Sequence, residues 1–593
     1  MKIRKNNCLK PLAVMALALS AMSVKASPAR PFPLRYVQPD GQVVTVYLRG
    51  DERVHFYENI QGKMLIKDNL GRLCYATLNE RGDVVASSQM AVDKTKDVEM
   101  TGATDEMQLQ LRSALSRASR TRNQQLSSAL PGEVKKTFPT TGKMRGLIIL
   151  AEFTDKKFSR DDAHEIFSKL ANEVGYTGPY ASGSIRDYFL SQSQGLFEPE
   201  FDVVGPVALP QSMSYYGLDE RIVDLMVDAC TVADKEHGVD FSLYDHDDDG
   251  TVDFLYVIYA GYSEAQGAAE DAIWPQSKDL TYSTWKTFDG MYLGQSSCSS
   301  ELQGNYGADI DGIGTFCHEF SHILGLPDIY DPMYSGCNGM MHWDIMDVGI
   351  YNDASRTPSG FTAMDRYSLG WLQPTVLHQA VTDFELEALS SSNQAVFIVN
   401  PSDPNEYYIL ENRQPIAWDA ALPGHGLLVS HVHYVPSLWS SNRVNTSMSG
   451  YEHVALVPAD NITSVDTEAA DTYPGEAGRH TELSASSTPA LFWHQGEQSY
   501  QLPVTSIREE NGVIRFHYLA DASGIESAPF TPSMVRLAEG SIDINNQQRQ
   551  SVRLYRLSGE LIASSTEATL HYSLASGAYL LQIGDTIQKI FIK

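Results

Sequence analysis

Basic charge is what this chain of 593 residues most lacks: 45 lysines and arginines stand against 74 aspartates and glutamates, a formal net charge of −29. Gripping a phosphate backbone takes clustered lysine and arginine, so the deficit excludes a nucleic-acid partner. An acidic surface also suits an exported protein that must stay soluble, or one that binds calcium. Long apolar runs are lacking too. After residues 12–21 no stretch approaches the roughly 20 residues of a membrane span, and none is expected. Cysteine is scarce, with six in all; Cys8 falls beside that first apolar run, leaving Cys74, Cys230, Cys298, Cys317 and Cys337. An odd set cannot pair completely within one chain. Cys298, Cys317 and Cys337 flank the motif described below, and an oxidising compartment would permit a bridge among them. No internal repeat of fixed period occurs. What remains, 42% hydrophobic and 20% charged, is a globular composition, and the length implies about three to five domains.

The chain divides by pattern. Lys2, Arg4, Lys5 and Lys10 precede the apolar run, and Val24, Lys25 and Ala26 follow it. That is a signal peptide over 1–26, cleaved after Ala26. Residues 27–142 read as a pro-region. A β-rich module over about 32–98 alternates polar and apolar residues, as in 42–48, and a basic linker follows it. The linker carries Arg112, Arg117, Arg120, Arg122, Lys135 and Lys136, with helical character over 108–130, and is a natural protease target. Residues 143–375 mix strands (146–153, 254–260) with helices (184–191, 220–237). Short alternating runs over 376–522 predict a β-sandwich, and 523–593 a last small β unit.

Chemistry concentrates at residues 312–328. Ile313, Phe316, Phe320, Ile323 and Leu324 recur at helical spacing, so one face is apolar. His318 and His322, four apart, share another face one turn from each other and can reach one Zn²⁺. Glu319 follows the first ligand directly and is placed to take a proton from zinc-bound water. A catalytic zinc needs a third protein ligand. No Glu occurs between Glu319 and Glu385, which disfavours a carboxylate arriving from a later helix. In the other usual geometry a Gly ends the helix, the chain turns back, and the residue ten beyond the first His binds metal. Gly325 and Asp328 occupy those positions, with His342 and Asp331 as rivals. Downstream, Met346 in Trp343-Asp344-Ile345-Met346 is the candidate Met-turn that marks metzincins. Tyr351 is a candidate oxyanion donor, though a packed tyrosine reads equally well. The fold class is therefore multidomain α+β: a metzincin-like α/β catalytic domain flanked by a β-rich pro-region and C-terminal β-sandwich domains.

Other groups carry weaker signals. Asp245, Asp247, Asp249 and Asp253 alternate around Gly250, the pattern of an oxygen-ligand loop for Ca²⁺, although the closing Glu of an EF-hand is absent. So many carboxylates in one stretch repel without a cation. His431 and His433 face one side of a strand with His425 near, more readily exposed strand histidines than a second metal site. Cys74 offers a thiolate that could cap the zinc of a pro-form, but no motif surrounds it.

The run His-Glu-Phe-Ser-His-Ile-Leu-Gly-Leu-Pro-Asp-Ile-Tyr-Asp followed by Trp-Asp-Ile-Met resembles the immune inhibitor A metallopeptidases, secreted bacterial enzymes of metzincin type. The likeness extends over about 146–471, including residues 184–189, the Asp-rich loop before 256–261, and 408–413. It implies a zinc endopeptidase made with an inhibitory pro-region and calcium supporting the fold, with His318, His322 and Asp328 at the zinc positions, Glu319 as general base and Met346 as Met-turn. Residues 552–559, 576–583 and 589–593 resemble the sorting domain of type IX secretion cargo. That implies a Gram-negative member of the Bacteroidota, the type IX machinery as a partner, and a place outside the cell or on its outer surface. The function expected is a secreted zinc endopeptidase acting on proteins or peptides. The alternative is a binding protein or adhesin on a peptidase-like scaffold.

Overall fold

The computed structural model describes residues 25–92, 107–108, 110–115, 138–218, 221–281, 283–332, 336–446, 451–475, 478–495, 503–519, 535–538, 540–556, 561–575, 577–584 and 586–592. The apolar run at 12–21 and the linker positions Arg117, Arg120, Arg122, Lys135 and Lys136 lie outside the described residues.

After a two-residue strand, β1 (Lys25–Ala26), the chain builds a six-stranded antiparallel meander. Its strands are β2 (Leu34–Val37), β3 (Val43–Gly50), β4 (His55–Asn59), β5 (Met64–Lys67), β6 (Leu73–Leu78) and β7 (Val84–Met90). Every second residue of β3 is buried, because successive side chains on a strand point to opposite faces. The described part of the expected 108–130 helix is helical, and Leu111 packs against Phe56, Met64 and Ala76 of this module.

The central unit is a sheet of order β1-β12-β15-β11-β8-β9. Four strands run parallel: β8 (Gly142–Glu152), β9 (Phe197–Ala208), β11 (Leu255–Tyr262) and β15 (Gln295–Leu302). β12 (Gln276–Asp279) lies antiparallel on β15, and β1 antiparallel on β12. Parallel strands covered on both faces read as unbroken apolar runs, which is why 146–153 and 254–260 carry no alternation. Ile148, Leu150, Tyr256 and Ile258 point to one face, against α1 (Ala163–Asn172), α2 (Ile185–Gln192) and α4 (Gly314–Ile323). Leu147, Ile149, Val257 and Tyr259 point to the other, against α3 (Ile222–His237). A small sheet of β10 (Thr251–Val252), β14 (Met291–Leu293) and β13 (Thr287–Phe288) follows the acidic loop.

Next come two facing sheets. One holds β16 (Thr375–Val376), β18 (Val396–Asn400), β19 (Asp403–Arg413), β20 (Gly426–His433) and β21 (Val454–Leu456). The other holds β17 (Val381–Leu386), β23 (Val513–Tyr518) and β22 (Val504–Glu510). They share a core of Leu386, Val396, Ile398, Leu410, Val429, Ile514 and Phe516. The far face of the larger sheet, through Ile409, Leu428 and Val432, joins the core around α4. β20 is thus buried along its whole length. The last unit packs strands Ser541–Asn545, Val552–Arg556 and Gly577–Ile583 around Ile542, Leu554 and Leu581. Among the described residues no helix is long and apolar enough to cross a membrane.

Candidate metal centre

The N-terminus of α4 is tied down by Asp311, whose carboxylate accepts the Gly312 N–H and Thr315 Oγ1 at 3.1 Å and Gln266 Nε2 at 3.0 Å. Gly314 lets the helix approach its neighbour, since a Cβ there would sit 2.0 Å from the Ile350 carbonyl oxygen. Phe316 stacks on Tyr256 at 3.9 Å between ring centroids, and Phe320 meets Phe254 at 4.5 Å and Phe189 at 4.8 Å. All ten residues of α4 are buried, so its polar face is held as firmly as its apolar one. Just after the helix Gly325 takes φ +109°, a left-handed turn that L side chains rarely adopt, and the chain comes back to deliver Asp328.

His318 Nδ1 bonds the Ile345 carbonyl and His322 Nδ1 the Leu326 carbonyl, both at 2.8 Å. Those acceptors fix each ring so that both Nε2 atoms face a common point, 3.2 Å apart. Asp328 Oδ1 lies 3.3 Å from His318 Nε2 and 3.1 Å from His322 Nε2, and has no hydrogen-bond partner of its own. Three buried donor atoms at these separations suit one ion with bonds of about 2.0–2.1 Å, whose neighbouring ligands stand about 3.3 Å apart. Three nitrogen and carboxylate donors could hold a metal ion and would suit zinc, whose catalytic sites use three protein ligands. Burial would lower His318, but the charges of Asp328 and Glu319 outweigh it and hold it up at about 9. His322, pushed down to about 4 by burial, stays neutral. Asp328 resists its burial through the two imidazoles and remains well below the usual carboxylate range.

Glu319 stands beside this trio, fully buried. Desolvation pushes it up to about 8 against the pull of His318 and Ser27. Its Oε1 accepts Ser27 Oγ at 2.7 Å, while Oε2 has no partner. The cleft in front is filled by the N-terminal segment. Tyr330 OH donates to the Ala26 carbonyl at 2.5 Å, Tyr351 OH to that of Pro28 at 2.7 Å, and Trp274 Nε1 to that of Ser27 at 2.8 Å. Arg53, ion-paired with Asp51, reaches within 3.9 Å of Asp328 Oδ2. Ser27 and Arg53 carry no local signature in the sequence, whereas Tyr330 lies in the Ile-Tyr-Asp end of the motif. Ser27 reaches Glu319 from 292 residues away along the chain.

The rivals for third ligand are engaged elsewhere. His342 Nδ1 pairs with Glu468 at 2.8 Å, and Asp331 Oδ2 accepts the backbone N–H groups of Gly336 and Cys337. Met346 is buried in a turn whose Ile345 carbonyl holds His318, and its own carbonyl accepts the Ile329 N–H at 2.9 Å. Cys74 does not cap the site. It is buried in β6 with Asp68 and Arg72 for neighbours, and the N-terminal residues in the cleft are 25–28 and 51–53, of which 25 and 26 belong to the expected leader. The bridge allowed among Cys298, Cys317 and Cys337 is not formed, and no disulfide joins the five described cysteines.

Two further groups gather metal-capable atoms. In the acidic loop Asp245, Asp247 and Asp253 bring oxygens within 4.8 Å of one another. Asp249 is not among them; its N–H donates to Asp245 Oδ1 at 3.1 Å as the chain turns through Asp248, φ +57°. In the larger C-terminal sheet Glu406, His431 and His494 converge similarly. Both Glu406 oxygens are already satisfied there, accepting His431 Nε2 (2.8 Å), Asn400 Nδ2 (2.7 Å) and the N–H groups of His494 (2.6 Å) and Gln495 (3.0 Å). That is a structural carboxylate. His433 pairs with Asp403 and His425 with Glu509.

Comparison with known proteins finds a peptidase family over the stretch that carries these residues. Residues 145–374 match the family model described as immune inhibitor A peptidase M6, catalytic domain. The chain is similar to the pre-pro-metalloprotease PrtV of Vibrio cholerae serotype O1, 25% identical over 278 residues, which cover 40% of this chain and 29% of that protein. It is also similar to immune inhibitor A of Bacillus thuringiensis subsp. alesti, 26% identical over 276 residues, 38% of this chain and 39% of that one. The aligned part thus spans well under half the length of either relative.

Proposed function

We propose that this protein is a zinc-dependent endopeptidase of metzincin type, exported and held latent by its own N-terminal segment. The observation that carries the reading is the buried triangle of His318 Nε2, His322 Nε2 and Asp328 Oδ1 with the Glu319 carboxylate beside it. The match of residues 145–374 to a peptidase catalytic domain supports it. A bound Zn²⁺ would supply Lewis acidity and an acidified water. The chain's own groups do the rest. The Ile345 and Leu326 carbonyls keep both rings turned to one point. Glu319 takes the proton of the attacking water and passes it to the amine released as the C–N bond breaks. Its place beside the three donor atoms, with Oε2 left without a partner, is where a base for that water must stand. Tyr330 and Tyr351 already donate to carbonyls in the cleft and are placed to do so for a substrate. β12 is the edge on which an extended peptide would add as an antiparallel strand, the place held by β1 until a leader cut after Ala26 takes it away.

The same contacts argue for latency. Ser27 occupies the base and residues 26–28 occupy the cleft. The pro-region must therefore leave before protein substrates enter, which suits a relative named as a pre-pro-metalloprotease. Calcium in the Asp245 loop, a cleaved leader and type IX export through residues 523–593 complete the proposal. The adhesin alternative draws no support from a site with all three ligands and the base in place. The test is digestion of casein by the chain after cleavage in its basic linker, with and without a chelator. Chelator-sensitive digestion that returns with zinc is expected. Digestion indifferent to chelator, or none from the cleaved chain, would overturn the reading.

A further inference from the structure

Asp328 is the one metal-facing residue not carried by α4, so something must decide which of its two oxygens meets an ion. The main-chain N–H of Asp328 donates to Asn442 Oδ1 at 2.7 Å, and Asn442 Nδ2 donates back to Asp328 Oδ2. One amide thus closes a ring on one residue. The amide's orientation follows from chemistry, because a backbone N–H needs an acceptor and a carboxylate needs a donor. With Oδ2 taken, Oδ1 alone turns to the two imidazoles. Asn442 is 1% exposed, with φ +54°, a conformation that Asn and Asp tolerate better than other non-glycine residues. Three residues on, Asn445 Nδ2 holds the Ile329 carbonyl at 2.8 Å and its Oδ1 accepts the N–H groups of His453 and Val454, which ties the loop after Gly325 to β21. Both asparagines lie beyond residues 145–374, the part matched by the catalytic-domain model.

We infer that Asn442 is a positioning residue of the metal centre, supplied by the C-terminal sheets, which makes Asp328 a one-oxygen ligand through Oδ1 and raises the site's affinity for zinc. The inference rests on the reading of His318, His322 and Asp328 as the zinc site. Outer partners of metal ligands are worth about 10–100-fold in affinity.

The experiment measures zinc affinity of the full chain by competition with a chromogenic chelator, and the visible spectrum of its Co²⁺ form, for five proteins. Asn442→Asp retains size, backbone tolerance and the acceptor for the Asp328 N–H, and puts a carboxyl where the donor was, which repels Oδ2 when ionised and still donates to it when protonated. Asn442→Ala loses both bonds. Ser441→Ala, whose hydroxyl bonds Ser437 and Leu438 rather than Asp328, is the local control. His322→Ala and wild type complete the set. Both Asn442 variants should bind zinc about 10–100-fold more weakly, and their Co²⁺ bands should weaken as Oδ2, now free, joins the ion and raises its coordination number. Ser441→Ala should match wild type. Asn442→Asp with wild-type affinity and an unchanged Co²⁺ spectrum across a pH series that runs alkaline enough to ionise the new carboxyl overturns the inference, and does so even if Asn442→Ala fails to fold. Wild type that binds no His322-dependent zinc would instead sink the underlying site assignment.

Discussion

Replacing Glu319 by Ala separates chemistry from metal binding, because Glu319 touches no ligand atom through a hydrogen bond and its one partner is Ser27 Oγ. Deleting a base that both takes and returns a proton should cost about four orders of magnitude in rate, or about 5.5 kcal/mol of transition-state stabilisation. Stability should not fall in step. The wild-type carboxyl is fully buried and pushed up to about 8 by desolvation, so its ionised form is a burden to the fold that Ala removes. Bound zinc should remain at one equivalent, since His318, His322 and Asp328 are untouched. Latency complicates the assay, because a variant unable to cut itself could stay blocked. Wild type and variant are therefore both nicked in the linker by the same external protease, and casein cleavage, zinc content and melting temperature are read together. Casein cleavage within tenfold of wild type would refute the assignment of Glu319 as base. Loss of zinc in step with activity would show that the residue serves the metal rather than the water.

Other outcomes follow from the same geometry. Protein recovered outside the cell should begin between residues 112 and 145 and end near residue 521; terminal sequencing that finds a fully active chain running from Ser27 to Lys593 would contradict latency. Millimolar calcium should raise the melting temperature of wild type and of Asp249→Ala but hardly that of Asp247→Ala, because only Asp247 converges with Asp245 and Asp253; equal responses in all three would remove this loop from consideration. Arg413→Met should cost about 3–5 kcal/mol by denaturant unfolding, since it strands the buried carboxylates of Asp419 and Glu411 and frees the Trp343 carbonyl; a loss under about 1 kcal/mol would show the network to be dispensable. Burial alone would raise Glu406, but His431, the two amides and Asn400 outweigh it and hold it at about 2. A carboxyl depressed in the folded state contributes stability that is full above its ordinary 4.5 and lost as pH falls toward 2. Glu406→Gln should flatten that acid limb, and an unchanged pH profile would count against the pairing.

Sequence and structure agree where the signal is local. The spacing of Phe316 and Phe320 against His318 and His322 specifies the faces of α4, and Gly325 takes the left-handed turn expected of it. The helices expected at 184–191 and 220–237 are Ile185–Gln192 and Ile222–His237. The first is capped by Ser184, which exchanges bonds with Asp187. The buried strands 146–153 and 254–260 are legible because parallel strands need no polar face. Asp249 departs from expectation because alternation assumes an extended loop, whereas the chain turns at Asp248. Ser27, Arg53 and Asn442 are invisible in the sequence for a different reason. Each acts across a fold contact, Asn442 on Asp328 over 114 residues, and no periodicity records such a meeting.

That distance has a consequence for how the site comes into being. His318, Glu319 and His322 sit on one helix, but Asp328 is held from the C-terminal sheets and the turn under His318 is braced by Arg413 of β19 through the Trp343 carbonyl. Contacts this far apart in sequence form late and slowly, because chain entropy is lost before they reward it. The metal centre is therefore expected to reach its final geometry only after residues 376–519 have docked on the central unit. The segment in the cleft comes from the other end of the chain and is made first, so Ser27 can cover Glu319 as the last strands close.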